Sequence, residues 1–179
     1  MIRVLRQTLD NLTGRGEAAV TVPPLDGALR PNRALDEAVV RAPLAGVDCL
    51  AVVGNALHAS AGPMVWRLTD GGWTEAHRFD ETIRCIVASG PDTLAIALAS
   101  GRIIVSGPDG TRDVTLRDLT CITGMAVEGD TLYLTNGSAS NAPEDWARDL
   151  LQRNRTGSLW RVDLASGQST QIAADLAWP

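Results

Sequence analysis

The sequence predicts an all-β chain built of β-propeller blades: three four-stranded antiparallel units, with one short helix inserted in the third. Three observations predict it. From about residue 46, short β-rich runs alternate with turn residues that supply positive φ or a preset bend. The runs recur with a period of roughly 35–55 residues, about four strands per unit, the signature of propeller blades. Cys49 and Cys85 stand third in apolar runs of two successive units, 36 positions apart, whereas the equal interval on to Cys121 is coincidence, since the turn alignment puts Gly124 in that slot.

Residues 1–45 precede the repeats. MIRVLRQTLDNLTGRG is short and amphipathic, and TVPPLDGALRPNRALDEA is punctuated by Pro and Gly, which predicts an N-terminal extension packing on the propeller. The first blade is expected over 46–80. Leu50-Ala51-Val52-Val53, Leu57-His58-Ala59 and Met64-Val65-Trp66-Arg67-Leu68 are its strands, with turns at Gly54-Asn55 and Gly71-Gly72. The second, over 82–118, has Thr93-Leu94-Ala95-Ile96 and Arg102-Ile103-Ile104-Val105 between Gly90-Pro91-Asp92 and Gly107-Pro108-Asp109-Gly110. The third, over 121–176, has Thr131-Leu132-Tyr133-Leu134-Thr135 and Leu159-Trp160-Arg161-Val162, bounded by Gly129-Asp130 and Ser166-Gly167. Val65-Trp66-Arg67-Leu68 is echoed by Leu159-Trp160-Arg161-Val162, each just before a Gly-containing turn.

One segment breaks the β pattern. Asn141 to Leu151 offers a capping Asn, then Pro and acids for a first turn, and Trp146 with Leu150 at i, i+4. It reads as a helix inserted in blade three, either a packing element or a substrate gate.

Composition narrows the chemistry. The 179 residues are 45% hydrophobic and 21% charged, as in a folded domain. All 16 Lys+Arg residues are Arg, so no lysine exists for a Schiff base or a phosphate loop. A net charge of −5 with no basic cluster argues against nucleic acid, and no run is long enough to span a membrane. The N-terminus lacks a signal-peptide apolar core, so the chain is expected to be cytoplasmic with three free thiols. His58 and His77 lie on strands without a nucleophile in any motif, and the five Trp residues fall mainly at repeat-equivalent or helix-packing positions.

The stretch CITGMAVEGDTLYLTNGS, then Trp146 and Asp149-Leu150, then TGSLWRVDLASGQSTQIAADLAWP, resembles the middle of strictosidine synthase-like proteins. These are relatives of the gluconolactonase (senescence marker protein) and paraoxonase six-bladed propellers. GALRPNRALDEA also resembles the approach segment of bacterial members. The resemblance implies half of a six-bladed propeller, because members are about twice as long and would enter a fourth blade after Trp178-Pro179. Three blades alone leave strand edges and an apolar face open. The expected partner is therefore a second polypeptide supplying the other three blades, or a second copy of the chain in a homodimer of half-propellers.

In such propellers the innermost strand of each blade points its leading residues into the central channel, where ligand or metal binds. Aligned by their turns, Val47-Asp48-Cys49, Ile83-Arg84-Cys85 and Ile122-Thr123-Gly124 are equivalent, so Asp48, Arg84 and Thr123 should converge there. Cys121 falls outside this alignment. The resemblance places Asp48 where lactonases carry a metal-binding Glu, and Asn136 where paraoxonase-like proteins carry a calcium-ligating Asn. Thr123-Gly124 replaces an Asn-Asp pair of many relatives. A calcium-like divalent cation wants about six to eight oxygens, more than Asp48 and Asn136 supply. The other reading gives both residues to turn hydrogen bonds.

The function these readings imply is a lactone or ester hydrolase. A cation on Asp48 and Asn136 would assist it, and Arg84 and Thr123 would bind the small-molecule substrate. A metal-independent, strictosidine synthase-like condensing enzyme or lyase and a non-catalytic binding or assembly module are the alternatives.

Overall fold

The computed structural model describes residues 38–114, 116 and 119–179. The chain divides into two compact units, Met1–Arg41 and Ala42–Pro179, and the second carries every described strand. Up to residue 37, the expected N-terminal extension lies outside the described residues.

Twelve strands form three four-stranded antiparallel sheets, each a meander of consecutive strands. Blade one comprises β1 (Val47–Val53), β2 (Ala56–Ala61), β3 (Met64–Thr69) and β4 (Gly72–Arg78). Blade two comprises β5 (Ile83–Gly90), β6 (Thr93–Leu98), β7 (Ile103–Gly107) and β8 (Gly110–Asp113). Blade three comprises β9 (Ile122–Glu128), β10 (Thr131–Asn136), β11 (Gly157–Asp163) and β12 (Ser169–Leu176). Gly54, Gly72, Gly110 and Gly129 take positive φ at the hairpin turns, as the sequence's turn signals require.

The first strands of the three blades stand side by side, β5 packing against β1 on one flank and against β9 on the other. They are the inner strands. Blade two is thereby covered on both faces, and its sequence shows it. Along β6, Leu94 to Leu98 are buried without a break, as a strand apolar on both sides must be. β10, in blade three, alternates instead, with Leu132 and Leu134 buried and Tyr133 and Thr135 half-exposed. The core accordingly falls into two clusters. Val65, Ile86, Leu94, Ile96 and Ile104 fill the space between blades one and two, while Ile103, Val105, Leu132, Leu134 and Val162 fill that between two and three. Each fully buried Ile or Leu contributes about 1.5–3 kcal/mol of transfer free energy.

Polar ties follow the same junctions. His77 of β4 hydrogen-bonds Ser106 of β7 at 3.3 Å, and Arg112 of β8 donates to the Ala165 carbonyl in the β11–β12 turn at 2.8 Å. Gly101, in the β6–β7 turn, sits against the segment that leads into blade three. Its φ is +87°, and a Cβ there would lie 2.2 Å from the Leu119 carbonyl oxygen.

The helix differs from its prediction in length and in what holds it. A 3-10 turn at Pro143–Asp145 runs into a short helix α1, Trp146–Leu151, and Asn141 makes no cap hydrogen bond. Trp146 and Leu150, expected to pack, are 53% and 45% exposed, and no helix among the described residues is long and apolar enough to cross a membrane.

Gly101→Ala should therefore destabilise the chain by about 2–4 kcal/mol, since it combines backbone strain with a clash against main chain that cannot rotate away. Urea unfolding checks this, and an unchanged midpoint would contradict the packing described.

Candidate functional site

The three inner strands present the predicted triplets in equivalent places. Asp48, Arg84 and Thr123 are each the second residue of their strand. Cys49 of β1 lies against the sulfur of Cys85 at 3.9 Å and the Arg84 carbonyl at 3.8 Å, so β1 and β5 begin level with each other. The Met125 backbone of β9 lies beside Cys85 in turn. A row of one acid, one guanidinium and one hydroxyl results, on three neighbouring strands.

Each member has a different setting. Asp48 is exposed, and its carboxylate makes no hydrogen bond or ion pair among the described residues. Arg84 is mostly buried, its side chain 22% exposed, and Nη1 donates to Glu144 Oε1 at 2.7 Å. Arg84 Nε is buried with no partner among the described residues. The guanidinium holds the Glu144 carboxyl below its ordinary range, chiefly through that hydrogen bond. Glu144 itself is 66% exposed, so water screens the pair and its net worth is small. Thr123 donates from Oγ1 to the Pro179 carbonyl at 2.7 Å and shares a 2.8 Å hydrogen bond with Thr135 Oγ1.

Asn136 takes the structural role. It is 1% exposed at the end of β10, paired in register with Ile122, and both ends of its amide are engaged with backbone. Oδ1 accepts from the Cys121 N–H at 3.0 Å, and Nδ2 donates to the Ser138 carbonyl at 2.9 Å. Asp48 and Asn136 therefore do not fit a calcium site as a pair. One offers an exposed carboxylate, the other a buried oxygen already holding a peptide N–H, and a hard cation needs several more oxygens. No cluster of three His, Cys, Asp or Glu occurs among the described residues.

The inserted segment is anchored by a residue that patterning does not single out. Asp149 of α1 is 1% exposed, and its Oδ1 accepts from Ser138 Oγ at 2.6 Å, Asn141 Nδ2 at 2.7 Å and Asn154 Nδ2 at 3.1 Å. These donors, Ser138 first, hold its carboxyl below the ordinary range against the opposing cost of burial. Asn141 thus ties the segment through Asp149 rather than through a cap. The anchorage places Glu144, one short turn earlier, over Arg84.

The histidines and two of the tryptophans have structural partners, whereas Trp66 Nε1 and Ser89 Oγ are buried without one among the described residues. His58 Nδ1 donates to the Ala56 carbonyl at 3.3 Å, and burial keeps both His58 and His77 below the usual imidazole range. Trp73 and Trp160 direct their Nε1 groups to the Ala42 carbonyl and Ser158 Oγ. The contact between the two sulfurs pulls the Cys49 thiol down and, together with burial, pushes Cys85 up. A larger concavity, about 420 Å³, lies on blade three away from the row, lined in part by Arg155, Thr156, Trp160 and Gln171.

No family model and no curated protein matches the chain. Solved structures do. The computationally designed Ika4 protein superposes with a TM-score of 0.55 at 11% identity, over 78% of this chain and 80% of that one. Two further matches are propeller-like folds. PorZ, a surface component of the type-IX secretion system of Porphyromonas gingivalis, gives 0.51 at 16% identity over 76% of this chain. The extracellular domain of BT4673 from B. thetaiotaomicron gives 0.50 at 18% identity over 71%. This chain spans only 18% and 15% of those two. At such identities the likeness concerns the fold alone.

Asp149→Asn should cost about 1–3 kcal/mol, because an amide cannot accept from three converging donors as a carboxylate does. The lowered carboxyl pKa adds a pH signature. Its stabilisation is full above the ordinary carboxyl value of about 3.9 and is lost as pH falls through the lower folded value. Unfolding midpoints measured from pH 7 down to pH 2 should show this acid-side loss in the natural protein and its absence in the variant.

Proposed function

We propose that the inner-strand row binds a small molecule through a carboxylate or other anionic group, with Arg84 as the principal contact. The observation that carries the reading is the state of Arg84: a mostly buried guanidinium on an inner strand, one Nη group on an exposed Glu144 and its Nε unpartnered among the described residues. Glu144 occupies the place of the ligand anion and yields to it at little cost, since the exposed side of the pair is water-screened. Asp48 and Thr123, second residues of the inner strands on either side of β5, supply an acceptor and a hydroxyl for the rest of the ligand.

Hydrolysis of a lactone or ester is the second reading. The carboxylate of Asp48, unpartnered among the described residues and one strand from Arg84, favours it, pairing a group able to take a proton with a cation able to stabilise a developing oxyanion. Turnover of a lactone and ester panel that disappears in Asp48→Ala supports it, and turnover that survives the change discards it.

The faces left open on blades one and three support a ring completed by further blades, from a second polypeptide or a second copy of this chain. Leu50 and Val52 of β1 are 59% and 61% exposed, and Ala126, Tyr133 and Leu159 form an apolar hollow on blade three.

Binding to a panel of small carboxylates, followed by calorimetry, tests the main reading. Arg84→Gln should weaken the best ligand about 10–100-fold, the worth of a charge-assisted hydrogen bond. Glu144→Gln should tighten it several-fold by removing the internal competitor. Affinity indifferent to both substitutions would overturn the assignment.

A further inference from the structure

Cys49 and Cys85 face each other across the junction of blades one and two. Their Sγ atoms stand 3.9 Å apart and both thiols are free, whereas a disulfide holds its sulfurs at about 2.05 Å. Their separation of 36 positions carries the chain once through a blade and back to the same height on the next inner strand.

The strand ladder is interrupted at Cys49 and just before Cys85. The pairing of β1 with β2 skips between Val47 and Leu50, leaving the Cys49 N–H to Ser60 Oγ, whereas that of β5 with β6 skips Arg84 and resumes at Cys85, which pairs with Ala97. Cys49, inside its irregularity, can move without breaking regular ladder hydrogen bonds, so the remaining closure of roughly 2 Å is within reach. Access is unequal. Cys49 is half-buried and Cys85 is buried, so an oxidant meets Cys49 first. Cys121 lies apart, fully buried just before β9 and packed beside Gly137.

We propose that Cys49 and Cys85 form a reversible oxidation site, at which hydrogen peroxide makes a disulfide that ties β1 of blade one to β5 of blade two. The Cys49 sulfur gives up its proton and attacks one peroxide oxygen. The O–O bond breaks, the departing hydroxide takes a proton and leaves as water, and Cys49 becomes a sulfenic acid. The Cys85 sulfur then loses its proton and attacks the Cys49 sulfur, the S–O bond breaks, and a second water leaves. Two thiols and one peroxide yield one disulfide and two waters, two electrons passing from sulfur to peroxide. The bond forms next to Asp48 and Arg84, so it fixes the separation of two members of the row. It also closes a loop long enough to restrict the unfolded chain appreciably.

The test treats the full chain with a small excess of hydrogen peroxide, removes it, and counts thiols under denaturing conditions. Titratable thiols should fall from three to one, with a mass loss of about 2 Da and a peptide pair joining Cys49 to Cys85. The melting temperature should rise by several degrees, and dithiothreitol should reverse every change. Cys121→Ser should form the same bond, and Cys49→Ser should show neither bond nor thermal shift. Three thiols surviving treatment, a sulfinic acid on Cys49 with Cys85 still free, or a bond joining two chains would each overturn the proposal.

Discussion

Covering both faces of blade two is the constraint from which the rest of the structure follows. A sheet with apolar side chains on both sides cannot stand in water, so blades one and three must lie against it, with their inner strands on either side of β5. That stacking sets the row of Asp48, Arg84 and Thr123, because equivalent positions of neighbouring inner strands come level only when the blades are in register. It also brings Cys49 to Cys85. Neither the row nor the sulfur contact is made by any blade alone.

The insertion in blade three connects that frame to the site. Its helix contributes little apolar burial, since Trp146, Leu150 and Leu151 are exposed. What fixes it is polar: one buried carboxylate gathers a hydroxyl and two amides from the segments on either side. Three donors converging on one buried oxygen specify one geometry, because a displacement leaves a donor unpaired, while Oδ2 is buried with no partner among the described residues. The geometry it specifies puts Glu144 within hydrogen-bond reach of Arg84. Anchor, short turn and ion pair thus form one chain of cause from Asp149 to Arg84 in the inner-strand row.

Much of this is legible in the sequence, for reasons that differ by residue. The strands and their order can be read because Gly54, Gly129 and their like adopt the positive φ of tight turns without steric cost, and because period-2 patterning marks β10 while the unbroken Leu94–Leu98 run marks a strand buried on both faces. Asp48, Arg84 and Thr123 can be found by aligning turns, since equivalent distances from equivalent turns give equivalent heights. Asn136 shows where this stops. Its position on the strand can be read, but whether its oxygen faces a cation or the Cys121 N–H depends on the loop that follows, and no local pattern encodes that. Asp149 is harder still, because an acid in a short polar helix looks solvated until Ser138, Asn141 and Asn154 are brought around it. The apolar pair Trp146 and Leu150 misleads in the opposite sense: helical spacing puts two side chains on one face without supplying anything for that face to cover.

The same constraint makes a demand at the ends of the stack. The outward side of blade one carries Leu50 and Val52, and that of blade three carries Ala126, Tyr133 and Leu159, in the strand positions that face a neighbouring blade elsewhere in the stack. If every blade face has to be covered, these two faces meet further blades in solution. Native mass spectrometry of the protein purified under native conditions from the cells that make it, with any partner retained, measures this most directly. The account predicts a discrete assembly heavier than one 19.0 kDa chain, and a monodisperse 19.0 kDa monomer would contradict it.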